Sequence, residues 1–326
     1  MAQAYDESDV PRLAEVARAA AARWDVAPDS AIELINLSEN ATYAIREPGA
    51  EHPVILRVGR PDYSTTAEIA SELAWVDALR AARTVRTAPV IAAPGGERVL
   101  EVASRPCVMF GFCPGGEPAD DDLPSAFERL GAIAVRLHEH ARGWTPPPGF
   151  RRRIWDEQTT IGATPIWGRW EDGMGVGDAE RALLGRLRAA LLARLAGYGK
   201  GPDRYGLVHA DMRLANLLVD GDETYVIDFD DCGYSWFLYD LAAALTFIED
   251  RDDVPELVDA WVRGYGGLPA AEREIVPTLV MLRRLLVLAW IGSHASTPLA
   301  QEEGLPYTRT TCELAERYLA GAFLTL

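Results

Sequence analysis

Apolar residues recur at helical spacing over residues 10–24, with Pro11 near the start, and this predicts an opening amphipathic helix. Short runs rich in β-branched and aromatic residues follow at 31–36, 41–47 and 53–58, the last two joined by a Pro-Gly-containing turn. They predict a β-meander. Residues 64–83 return to helical spacing, with Leu73, Trp75, Val76 and Leu79 setting an apolar face against the polar one carrying Glu68. Further strands are predicted at 90–93, 98–102 and 106–112.

Beyond Phe112 the pattern becomes mostly helical, at 124–140, 179–196, 236–249, 255–265, 270–291 and 307–320, interrupted by short strands at 205–208, 216–219 and 224–228. The change of pattern puts a lobe boundary between residues 1–112 and 113–326. The fold class expected is α+β, a small antiparallel sheet with one long helix followed by a larger, mainly helical part. Residues 144–177 are irregular and rich in Pro, Gly, Arg and Trp. A long irregular segment in a compact protein is commonly a lid or binding loop.

Composition narrows the class. A chain of 326 residues with 48% hydrophobic and 25% charged residues is that of a globular protein with a sizeable core. The four cysteines, Cys107, Cys113, Cys232 and Cys312, form no CxxC pair, so a structural zinc site is not indicated. The opening residues lack the basic start and apolar core of a signal peptide, and the longest apolar run, 285–292, is short of a bilayer span, so a cytoplasmic location is expected. A net charge of −17 repels nucleic acid and anionic membrane and would draw in a cationic small substrate, although an acidic surface that merely aids solubility accounts for the same charge. Lys200 is the single lysine, so any side-chain cation meeting a phosphate must almost always be arginine.

Chemistry concentrates in the middle of the chain. Phosphoryl transfer needs a group to orient the attacking hydroxyl, hard oxygen ligands for magnesium, and cations for the transferred phosphoryl. The run His209-Ala210-Asp211-Met212-Arg213-Leu214-Ala215-Asn216 supplies a carboxylate, a cation and an amide, and Asp228 ends the next predicted strand. A strand-loop-strand hairpin there would set Asn216 and Asp228 side by side, two oxygen donors for one metal.

The pattern His-x-Asp-x-x-x-x-Asn, followed by Ile227-Asp228-Phe229-Asp230-Asp231 and then Tyr239-Asp240-Leu241-Ala242, resembles the aminoglycoside phosphotransferases and their relatives of protein-kinase-like fold, near the homoserine kinase type II and stress-response kinase groups. The resemblance implies a two-lobed kinase using ATP and Mg2+. It makes Asp211 the catalytic or hydroxyl-orienting carboxylate, Asn216 and Asp228 the magnesium ligands, His209 a buttress of the loop and Asp240 its anchor. It also implies that Arg57 stands where relatives carry a strand lysine, with Glu72 as its helix partner.

Relatives of this kind lack a full Gly-x-Gly-x-x-Gly loop, and here Ser38 and Asn40 occupy its place as candidate phosphate contacts. Adenine would meet backbone near Met109 and Phe110. Arg213, two residues past Asp211, would stabilise charge on the transferred phosphoryl group.

The acceptor is less clearly written. Trp155, Trp167 and Trp170 are either packing or an amine cage, and Arg151, Arg152 and Arg153 would favour an anionic acceptor. Three functions stay open: transfer to a hydroxyl of a small molecule such as an amino alcohol, hydroxy amino acid or aminoglycoside; a protein Ser/Thr kinase; and a nucleotide-binding pseudokinase. Oligomeric state is not encoded in any identifiable residue.

Overall fold

The computed structural model describes residues 9–61, 63–118 and 122–325. The opening residues read above for a signal lie outside them. In chain order the elements are α1 (Val10–Arg23), β1 (Ala31–Leu37), β2 (Ala41–Arg46), β3 (Val54–Val58), α2 (Thr66–Ala81), β4 (Val90–Ile91), β5 (Leu100–Val102), β6 (Arg105–Gly111) and α3 (Leu123–Gly143). Then come β7 (Arg153–Ile154), α4 (Glu157–Thr160), α5 (Asp178–Tyr198), β8 (Tyr205–Val208), β9 (Leu217–Asp220), β10 (Glu223–Val226) and β11 (Gly233–Trp236). The chain finishes with α6 (Tyr239–Ala244), α7 (Val254–Tyr265), α8 (Ala270–Arg273), α9 (Val276–Ser293) and α10 (Pro298–Leu319). The class is α+β, as expected.

Two compact units divide the chain, and the division is not a single cut. The first takes the chain through Gly116 together with residues 145–152 and 218–230; the second takes 117–144, 153–217 and 231–326. The hairpin β9–β10 joins the first unit for a backbone reason. Gly116 and Val219 exchange amide–carbonyl bonds at 3.2 and 2.7 Å, and the Val226 amide donates to Arg86 O at 2.9 Å.

In the first unit an antiparallel sheet runs β1-β2-β3-β6-β4, with β5 on β6. Strand alternation does the packing: Ala41, Tyr43 and Ile45 of β2 face inward and meet Leu13, Val16, Ala17 and Ala20 of α1 in one core. Helix α2 begins at a capping box. Thr65 Oγ1 accepts from the Glu68 amide at 3.2 Å and Glu68 Oε2 accepts from the Thr65 amide at 2.8 Å, which stabilises the start by about 1 kcal/mol. The same helix buries Leu73, Trp75 and Leu79, and carries Glu72 inward with them.

In the second unit β8 pairs antiparallel, and β7 parallel, with β11. Helices α3 and α7 lie close enough that two glycines are obligatory. A Cβ on Gly131 would come within 2.0 Å of Trp261 O, and one on Gly264 within 1.8 Å of Glu128 O. Helix α9 is apolar on nearly every face and buried.

Several boundaries depart from the periodicity. The helix expected over 236–249 is only α6, because Trp236 is the buried end of β11 and Phe247 adopts φ +73°, a backbone state that ends a helix. Helix α10 starts at Pro298 behind a Thr297 cap, not after Pro306; Pro306 sits inside it at the loss of one backbone bond. The strand expected at 216–219 starts at Leu217, with a 3-10 turn at Leu214–Asn216 before it.

The uncharged run 285–292 lies inside a longer, mostly apolar segment that also takes in Arg283 and Arg284. Among the described residues, Ala270–Ser293 is long and apolar enough to cross a membrane, with a mean hydropathy of 1.8. Yet 83% of that window is buried inside the fold, which makes it a core helix by placement.

Candidate active site

The loop that follows β8 is anchored from beneath. Asp240, the second residue of α6 and wholly buried, accepts from the Ala210 amide at 2.8 Å, from the His209 amide at 3.3 Å, and pairs with His138 Nε2 at 2.9 Å. His138 comes from α3, and its Nδ1 lies 2.9 Å from the Tyr265 hydroxyl of α7. Ala210 has φ +68°, a left-handed state costing an alanine about 1–3 kcal/mol. The carboxylate that receives its amide holds it there. His209 is fully buried, and its Nδ1 accepts from the Asp211 amide at 3.4 Å.

This places Asp211 at a junction of donors. Oδ1 accepts from Arg283 Nη2 at 2.8 Å and from Arg213 Nε at 3.1 Å, while Oδ2 accepts from Asn216 Nδ2 at 2.9 Å. Its side chain keeps 15% exposure. Burial pushes the Asp211 carboxyl up, but Arg213, then Arg283 and His209, outweigh it, so it stays below the usual carboxylate range. The Asn216 amide nitrogen also donates to Asp211 O at 2.7 Å, which commits the nitrogen to the loop and leaves Oδ1 as the side chain's remaining polar atom. A hard cation prefers that atom. Among the described residues Arg213 uses only Nε in these bonds, and its side chain is 33% exposed.

In the first unit Arg57 of β3 meets Glu72 of α2 in a two-pronged pair, Nη1 to Oε1 and Nη2 to Oε2, both at 2.8 Å. Glu72 is 1% exposed. Burial works against the guanidinium charge, but Glu72, then Asp230 and Asp228, raise its proton affinity above the ordinary value. The aromatic face of Phe110 lies 5.4 Å from the Arg57 guanidinium. Arg57, Asn40, Arg60, Tyr63 and Asp230 line a small cleft open to solvent. Asn40 Nδ2 donates to Asp230 Oδ2 at 3.1 Å, and exposed Ser38 donates its amide to Asn40 O at 3.1 Å.

Asp228 belongs to this unit and Asn216 to the other. Asp228 does not end a strand, since β10 stops at Val226; it follows with φ +61°, the left-handed state again. Met109 is a core residue, and Met109 and Phe110 both sit inside the ladder between β3 and β4. Backbone outside the ladder begins only past Gly111, where Phe112 stacks on His52 with centroids 5.1 Å apart.

Two expectations about the acceptor change. Trp155, Trp167 and Trp170 are all buried, and Trp155 stacks edge-on with Trp167 at 5.1 Å. The Trp167 ring face already carries the Arg283 guanidinium, 5.2 Å from its centroid, so these rings form no amine cage. The triple arginine is no anion patch either. Arg152 donates to the backbone of Glu68 and of Asp230, and Arg153 pairs with Asp231 at 3.2 Å. Sequence reading missed Arg283 altogether. Its signal was there, since Arg283 and Arg284 are the two charges that interrupt the apolar run of α9.

Residues 31–275 match the family described as the phosphotransferase enzyme family, APH, which is well over half of the chain. The chain belongs to that family. This phosphotransferase superposes on the structure of a microcompartment-associated aminopropanol kinase with a TM-score of 0.88 and 44% identity, covering 95% of this chain and 99% of the other. It is 25% identical over 298 residues to amicoumacin kinase of Bacillus subtilis, covering 84% of this chain and 83% of that protein. The structure of an amicoumacin kinase, hAmiN, in complex with AMP-PNP, Ca2+ and Ami shares the fold at a TM-score of 0.74 and 21% identity, covering 96% and 94%. The phosphotransferase therefore has the kinase-like fold and is a small-molecule kinase. Neither a protein substrate nor a pseudokinase is favoured by these relatives.

Proposed function

We propose that this phosphotransferase moves the γ-phosphate of ATP, with Mg2+, to the hydroxyl of a small amino alcohol of the aminopropanol type. The observation that carries the reading is the 44% identity, spread over 95% of the chain, to an aminopropanol kinase. The net charge of −17 is the right field for an acceptor bearing an ammonium group.

In this reading Asp211, kept as an anion, accepts the hydroxyl hydrogen and aims the oxygen at phosphorus. Arg57, steadied by Glu72, takes the α- and β-phosphates, and the Nη groups of Arg213 meet the charge developing on the transferred phosphoryl. Asn216 through Oδ1 and Asp228 through its carboxylate each offer a hard oxygen of the kind that magnesium takes. Held there, magnesium would supply neutralisation of the charge on the phosphates. His209 and Asp240 keep the loop in place.

The test is ADP release and product mass from the purified protein with ATP and Mg2+ against 1-amino-2-propanol, ethanolamine, choline, homoserine, spectinomycin and amicoumacin. Aminopropanol is expected to give the highest kcat/KM. Turnover confined to the antibiotics would overturn the acceptor assignment, and replacing Mg2+ by a chelator is expected to stop transfer.

A further inference from the structure

Helix α9 is nearly all apolar, and two buried guanidinium groups stand side by side in its middle. Burying such a charge costs free energy that an apolar side chain of similar volume would not. What each arginine touches differs. Arg284 pairs with Glu249 at 2.6 Å and donates to Thr311 Oγ1 at 3.0 Å, all within the helical packing. Arg283 reaches Asp211 Oδ1 at 2.8 Å and donates to Ala210 O at 3.4 Å, so it is bonded to the catalytic loop twice.

Arg283 is itself immobilised. Its Nη1 donates to the Tyr239 hydroxyl at 3.3 Å and its Nε to Thr246 Oγ1 at 3.3 Å. Trp167 and Tyr239 lie 5.2 and 5.8 Å from the guanidinium carbon. Its side chain is only 5% exposed. The other donors to Asp211 come from the loop itself: Arg213, partly exposed, and Asn216.

A carboxylate torsion is broad and roughly two-fold, so donors moving with the loop leave it free to turn. A donor mounted on a rigid core helix does not. We infer that Arg283 is a positioning residue for phosphotransfer: it fixes the orientation of the Asp211 carboxylate from outside the loop, so that one oxygen is held and the remaining lone pairs meet the acceptor hydroxyl. This rests on the reading of Asp211 as the hydroxyl-orienting group.

The experiment compares wild type, Arg283→Met, Arg283→Lys and Arg284→Met in steady-state assays with ATP, Mg2+ and 1-amino-2-propanol, alongside ATP binding and thermal melting. Misplacing a reacting group costs on the order of 10²-fold, and Arg283→Met is expected to lose about that in kcat with the ATP Kd unchanged. Arg283→Lys keeps the charge without the fork and falls between the two. Arg284→Met is expected to lower the melting temperature while kcat stays near wild type. Arg283→Ala should regain turnover with added guanidinium ion, which a packing defect would not.

Wild-type kcat in Arg283→Met overturns the inference, as does a loss of kcat that Arg284→Met reproduces equally. A wild-type protein that phosphorylates none of the acceptors tested under Proposed function overturns the function reading and this inference with it. An active wild type with an unaffected Arg283→Met removes the inference alone.

Discussion

The two units solve the same electrostatic problem in opposite ways. In the first, one cation faces one anion: Arg57 and Glu72 satisfy each other through two parallel bonds at 2.8 Å. In the second, one carboxylate is shared, with Asp211 receiving Arg283, Arg213 and Asn216. A closed pair is intolerant of losing either member, because the survivor is left charged and buried. A shared carboxylate tolerates losing one donor but stands alone in its chemical role. The first unit closes its buried charge into a pair, and the second gathers three donors on one carboxylate.

The sharpest break of that contrast is Asp211→Asn. It retains the shape and much of the hydrogen bonding, yet removes the charge that the proposed role of Asp211 as acceptor of the hydroxyl hydrogen requires. A fall in kcat on the order of 10³ to 10⁴-fold is expected, read by ADP release, together with a loss of stability in urea titration because Arg283 is left buried without its carboxylate. Retention of more than a tenth of the activity would show that the carboxylate is not where the chemistry lies.

Arg57→Met and Glu72→Gln probe the closed pair. Each single change is expected to cost about 3–5 kcal/mol in urea unfolding, and the double change to Met at both positions to cost less than either. Equal costs for single and double variants would mean that the pair is not an isolated unit.

The smallest effect belongs to a surface pair that serves neither purpose. Lys200 Nζ lies 2.8 Å from Asp156 Oδ2 and 2.9 Å from Glu157 Oε2, with the lysine side chain 36% exposed. Lys200→Met should change stability by less than about 1 kcal/mol at neutral pH. Its signature is in acid. Burial pushes the Asp156 carboxyl up, but the Lys200 hydrogen bond, the Thr159 amide and the Lys200 charge outweigh it, so its folded value lies below the ordinary one. A carboxylate lowered by folding contributes stability above its unfolded pKa and loses it as pH falls through the folded one. Lys200→Met should therefore flatten the acid side of the stability profile, measured by urea unfolding from neutral pH down through the carboxylate range. An unchanged acid limb would place the source of the shift in the backbone amides.

Which features were legible follows from their range along the chain. Helix α1, the strands of the first sheet and helix α7 were visible because their periodicities are local. His209, Asp211 and Asn216 were visible for the same reason: one loop holds all of them at fixed spacing. The helix misplaced over 236–249 shows the limit. Apolar residues at helical spacing cannot reveal that Trp236 is used by a neighbouring strand or that Phe247 takes a left-handed backbone.

The sequence by itself determined the α+β class and the spacing that sets His209, Asp211 and Asn216 in one loop. Only the tertiary structure decided that Trp167 stacks on an arginine instead of standing open for an amine, that Arg152 and Arg153 are consumed internally, and that Arg283 reaches Asp211 from 72 residues away. The physical reason is that helix and strand periodicity arises within a few residues. Pairing of buried charges is settled only when the whole core closes and each charge must find a partner or leave the interior.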